Sequence, residues 1–75
     1  MSTNHQEDIK ARVGETAGKV WHALSSEGPQ TLTQLKKKFN GDNEVLNLAI
    51  GWLAREDKVN ITTDRKTLRI QLRSE

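Results

Sequence analysis

Cysteine is absent from this chain, which excludes disulfides and thiolate metal sites and makes a reducing compartment harmless to it. The opening MSTNHQEDIK has no apolar centre of a signal peptide. No uninterrupted apolar run approaches the roughly 20 residues that cross a bilayer, so the expectation is a cytoplasmic protein with no membrane partner. Catalytic patterns are missing too. There is no glycine-rich phosphate loop and no nucleophile elbow. His5 stands in the N-terminal tail, and His22 has no acid or nucleophile at motif spacing. Two histidines without cysteine make no recognisable metal site. Glu56 and Asp57 are adjacent at a helix end and point apart, which does not suit a general acid/base pair. The residues indicate no enzyme, no cofactor and no small-molecule ligand.

Apolar residues are scarce as well: they make up 33% of the 75 positions. A chain this short forms one domain whose core is barely sufficient, and such chains often gain stability by oligomerising. Charge is plentiful but nearly balanced, with 12 Lys and Arg against 10 Asp and Glu. A pI near 9.2 is compatible with nucleic acid without requiring it.

The richest stretch is Asp42–Lys58, DNEVLNLAIGWLAREDK. On a helix advancing about 100° per residue, Leu48, Trp52, Val45, Ala49, Leu53, Leu46 and Ile50 follow one another over roughly 200°. A helix covering one side of a small core needs a stripe little wider than about 100°. The surplus predicts two contacts, one with the chain's own core and one with something else. The remaining face carries Asn43, Glu44, Asn47, Gly51, Ala54 and Arg55.

Residues 1–8 read as a mobile tail, with Asn4 a potential cap, and residues 9–75 as the folded domain. Ile9, Val13, Ala17, Val20, Trp21 and Leu24 have helical spacing. Gly14 and Gly18 interrupt it, as signs either of a frayed start before a firm helix near Gly14 or of a flat strip that another backbone approaches closely. Gly28-Pro29 ends this helix. After a short extended link, Gln30 to Leu32, Thr31 and Gln34 match a capping box for a second helix, Leu32 to Phe39. That helix turns Leu32, Leu35 and Phe39 inward and Lys36-Lys37-Lys38 outward. Asn40-Gly41 closes it, and Asp42 can cap the third helix almost at once. Two helices joined this closely have the form of a helix-turn-helix.

Beyond Asp57 the apolar period changes from 3.6 to 2. Val59 and Ile61, then Leu68, Ile70 and Leu72, alternate with polar residues, and Thr63–Thr67 is turn-like. The predicted class is α+β: three helices followed by a C-terminal β-hairpin wing, a winged helix-turn-helix.

Three segments, GETAGKVWHAL (14–24), TLTQLKKKF (31–39) and LAIGWLAREDKV (48–59), resemble a small bacterial and archaeal winged helix-turn-helix family catalogued as a domain of unknown function. The likeness spans about residues 12–73, and GWLAR at 51–55 is among its most specific parts. The order of helices is also similar, more distantly, to regulators of the multiple-antibiotic-resistance type. That pattern implies a third helix with Leu46, Ala49, Ile50 and Leu53 in the core. It places Val45, Leu48 and Trp52 on the side that is polar or basic in many DNA-reading relatives.

Two surfaces are therefore candidates. For DNA, Asn43 and Asn47 stand one turn apart where a recognition helix meets base edges, and Asn can bond adenine twice. Asp42 and Glu44 oppose them, although carboxylates also simply favour helix N-termini. Lys36, Lys37, Lys38, Arg65, Lys66, Arg69 and Arg73 could contact phosphates, in weak and non-specific binding that falls with salt. For a protein partner, Val45, Leu48 and Trp52 would form an exposed patch unless the first helix, with Trp21, folds over them. Symmetric pairing is the commonest way to cover such a surface, so a homodimer is expected. Two functions follow: a nucleic-acid-associated regulatory protein that holds DNA mainly through backbone electrostatics, or a protein-interaction module that never meets DNA.

Overall fold

A computed structural model describes residues 5–39 and 42–73 of the chain. Helix α1 spans His5–Glu27, starting before the expected Ile9, so residues 5–8 are helical where a tail was predicted. Neither Gly14 nor Gly18 breaks it. The cap suggested at Asn4 lies outside the described residues. Gly28 stops the helix as predicted: at φ 85° it takes the left-handed conformation open to glycine, and its N–H donates to the Leu24 carbonyl at 2.9 Å.

Helix α2 covers Leu32–Lys38, and its capping box is complete. The Gln34 N–H donates to Thr31 Oγ1 at 3.1 Å, and the Thr31 N–H donates to Gln34 Oε1 at 2.8 Å. Its predicted closure at Asn40-Gly41 lies outside the described residues. Helix α3 covers Asn43–Arg55, with Asp42 as its N-cap. It ends in a Schellman arrangement: Asp57 N–H donates to the Ala54 carbonyl at 3.0 Å and Lys58 N–H to that of Leu53 at 2.9 Å.

The wing is formed by β2, Val59–Asp64, and β3, Thr67–Leu72, joined by Arg65 and Lys66 alone rather than by the longer turn expected. The link at Gln30–Thr31 is a strand, β1, and it pairs antiparallel with β3 through Gln30↔Ile70 and Thr31↔Arg69. The sheet is thus three-stranded, in the order β1-β3-β2.

The three helices and the two hairpin strands contribute to one core. Ala17, Val20 and Leu24 of α1, Leu35 of α2, Leu46, Ala49, Ile50 and Leu53 of α3, Val59 of β2 and Ile70 of β3 are buried together. Leu32, Phe39 and Leu72 pack half-buried around it. The four α3 positions predicted for the core are all there. Ile61 and Leu68 share the inward face of the hairpin yet stay exposed: Leu68 lies nearer the wing tip than Ile70, and Ile61, level with Ile70, stands on the edge strand β2.

Candidate functional site

The basic candidates fall into two groups. Lys36 from α2 and Arg65 and Lys66 from the wing tip line one groove, whose walls include Leu32, Thr33 and Thr67. The hydroxyls of Thr33 and Thr67 meet across it at 3.4 Å, pinning the start of α2 to the base of the wing turn. Among the described residues, none of these three cations has an acidic partner within salt-bridge distance. Lys37 is exposed on the same helix. Arg69 is exposed on the central strand, paired in register with Thr31 on one side and Thr62 on the other.

Lys38 and Arg73 are engaged elsewhere. Lys38 Nζ lies 2.9 Å from Glu27 Oε2, joining the C-terminal ends of α1 and α2. Arg73, one residue past β3, pairs with Asp57. Both acids are distant in sequence, and no local pattern announces either pair.

Asn43 and Asn47 are exposed on α3, as a base-reading helix needs. The carboxylate preceding them is occupied, however. Asp42 Oδ1 accepts the N–H groups of Glu44 and Val45 at 3.1 and 3.2 Å, and Oδ2 faces Arg12 Nη2 at 2.9 Å. The Val45 backbone bond, aided by Arg12 and the Glu44 N–H, holds the Asp42 carboxyl below the usual carboxylate range.

The apolar patch differs from its predicted outline. Val45 is only 5% exposed, so it leaves the interface set. It sits beside Arg12 and Thr16 of α1, on the flank of α3 that α1 covers. Leu48 and Trp52 remain 54% and 55% exposed: α1 does not close over them. They border a hollow whose other walls are Ile9, Lys10, Val13 and Gly14. A neighbouring hollow carries Gly14 and Gly18 to Trp21, His22 and Lys58. A Cβ placed on either glycine would meet open space, so among the described residues no backbone uses the strip. Ile9 and Trp21, periodic with the α1 core residues, extend this exposed face where the core runs out.

The comparisons with known proteins agree with this architecture. The uncharacterized protein MJ1608 of Methanocaldococcus jannaschii is 41% identical over 70 residues, covering 89% of this chain and 99% of that protein. The solution NMR structure of protein BT2368 from Bacteroides thetaiotaomicron superimposes with a TM-score of 0.71 at 43% identity, covering 84% of this chain and 77% of that one. Residues 6–72 match the profile of the family described as winged helix-turn-helix domain (DUF2582). With nearly its whole length inside that match and its helices and wing in the corresponding order, the chain belongs to this winged helix-turn-helix family.

Proposed function

We infer that this domain is a nucleic-acid-associated regulatory protein that holds duplex DNA by its phosphates rather than by reading bases. The observation that carries the reading is the groove where Lys36, Arg65 and Lys66 converge without acidic partners. A wing tip and the helix beside it can reach phosphates on either side of a groove, and affinity then comes from released counterions. Lys37 and Arg69 add to the same field. Asn43 and Asn47 are secondary, because the most exposed apolar residues share their helix.

The test is a titration of random-sequence duplex DNA at two salt concentrations. Three phosphate contacts predict a slope of about −2.7 in log K against log salt, at about −0.9 per contact. Lys36→Glu combined with Arg65→Glu should abolish measurable binding while leaving the circular dichroism spectrum intact. Absence of binding by the wild type at low salt would overturn the reading. It would leave the second one, an interaction module, which the exposure of Leu48 and Trp52 favours.

A further inference from the structure

On α3, Glu44, Leu48, Gly51 and Arg55 point within about 60° of one another, with Trp52 a further ~40° toward α1. All five are exposed. This stripe is self-complementary. Read against its own reverse about a point between Leu48 and Gly51, it sets Glu44 opposite Arg55, Leu48 opposite Gly51, and Arg55 opposite Glu44. Among the described residues neither Glu44 nor Arg55 joins an ion pair within the chain.

Gly51 supports the same reading. A glycine inside a helix costs about 1 kcal/mol relative to Ala. Among the described residues nothing requires one here, since a Cβ at this position meets open space. A closely approaching neighbour would make use of the gap.

We propose that α3 is the seam of a two-fold homodimer in which the helices of two copies pack antiparallel. Leu48 of each copy rests on the partner's Gly51, and Trp52 lies over the partner's Leu48 beside the hollow bounded by Ile9 and Val13. Glu44 pairs with the partner's Arg55 at both ends. Antiparallel packing also sets the helix dipoles against one another favourably, and an isologous contact closes on itself. A partner without this charge order could cover the apolar residues but would leave both end charges unmatched. Lys36 and the wing take no part in the seam, Asn43 lies well off it, and Asn47 only flanks it on the side away from Trp52. The dimer therefore stands or falls separately from DNA binding.

The experiment is light scattering and sedimentation of the full chain, without DNA, from low to high micromolar concentration. The wild type should reach twice its 8.5 kDa mass. Glu44→Arg and Arg55→Glu each put like charges together at both ends of the seam and should weaken the dimer by roughly tenfold or more. The double variant E44R/R55E restores opposite pairs and should dimerise nearly as well as wild type. That rescue cannot come from helix stability, because the double variant carries both unfavourable helix-end charges. Should a reversal unfold the chain, Gly51→Met supplies the same test. It removes the helix cost in the single copy but wedges the seam apart, so the fold stabilises while the dimer weakens. A monomeric wild type, single reversals without effect, a double variant that stays weak, or an undiminished dimer in Gly51→Met would each overturn the proposal.

Discussion

Arg12 and Asp42 tie the body of α1 to the first turn of α3: Nη2 lies 2.9 Å from Oδ2 while Oδ1 caps the helix. One carboxylate thus does two jobs, and a substitution can separate them. Asp42→Asn keeps an acceptor for the Glu44 and Val45 N–H groups and loses the charge facing Arg12. Asp42→Ala loses both.

The capping role predicts that Asp42→Ala lowers the thermal midpoint more than Arg12→Ala does, because the ion pair is solvent-exposed at both ends. The pH dependence has a definite sign. The folded carboxyl lies below its ordinary value of 3.8, chiefly through the Val45 backbone bond. Its stabilisation is therefore fully present above that ordinary value and is lost as pH falls through the folded one. Wild type should lose stability in that acidic window relative to Asp42→Asn, whose amide does not titrate. Parallel acid melts of the two proteins would refute this.

Thr31→Ala removes one half of the α2 capping box and should cost about 1 kcal/mol in urea unfolding, within the range of 0.5–2 for such caps. Gln34→Ala removes the other half and should cost less, since the Thr31 hydroxyl still accepts the Gln34 N–H. An unchanged slope against urea would confirm that the loss is of stability and not of two-state behaviour.

These local devices are the part of the fold most legible in the sequence, because a cap, a box or a hairpin is decided by residues a few positions apart. The Thr31–Gln34 box, the Gly28 stop and the alternation of β2 and β3 all needed only neighbours. What escaped was set by distant partners. Two residues of β1 carry no period of their own, and their strand character comes from pairing with β3, some forty residues away. Val45 lies at the edge of the α3 arc, where the position of α1 decides whether it is inside. Lys38 and Arg73 look like their neighbours Lys37 and Arg69, which join no ion pair among the described residues, until Glu27 and Asp57 are seen beside them. For the candidate site, the wide apolar arc was visible in the sequence. Its correct edge, Leu48 and Trp52 without Val45, was not.

Two leucines on α3 give a direct contrast. Leu46 is completely buried and Leu48 is more than half exposed. Leu46→Ala should cost about 2–5 kcal/mol, enough to unfold much of a domain this small. Leu48→Ala should change the stability of the single copy by no more than about 0.5 kcal/mol. Measuring both at low protein concentration keeps any self-association out of the comparison. Equal losses would mean that Leu48 belongs to the core after all.

Asp57 holds φ at 64° in the position after α3 where glycine is favoured. Asp57→Gly relieves that conformation and loses an exposed pair with Arg73, while also giving the unfolded chain more freedom. The left-handed conformation costs an L-residue roughly 1–2 kcal/mol, somewhat less for Asp. The net expectation is a gain of about 0.5 kcal/mol in chemical unfolding. A loss instead would show that the Arg73 contact matters more than its exposure suggests.

Arg65 occupies the same strained region, at φ 61°, in the two-residue turn of the wing. Glycine would suit that backbone better, and a long charged side chain gains nothing from packing there because it is exposed. Strain kept at an exposed position points to a use for the side chain itself, and the groove shared with Lys36 and Lys66 supplies one. Arg65→Gly should therefore act with opposite signs in two assays. Thermal stability should hold or rise slightly, and duplex DNA affinity at low salt should fall, with the salt slope reduced by about 1. Arg65→Lys keeps the charge and the strain and should leave both nearly unchanged. If glycine weakens the fold without touching DNA affinity, the turn is a structural choice and the wing is not a contact.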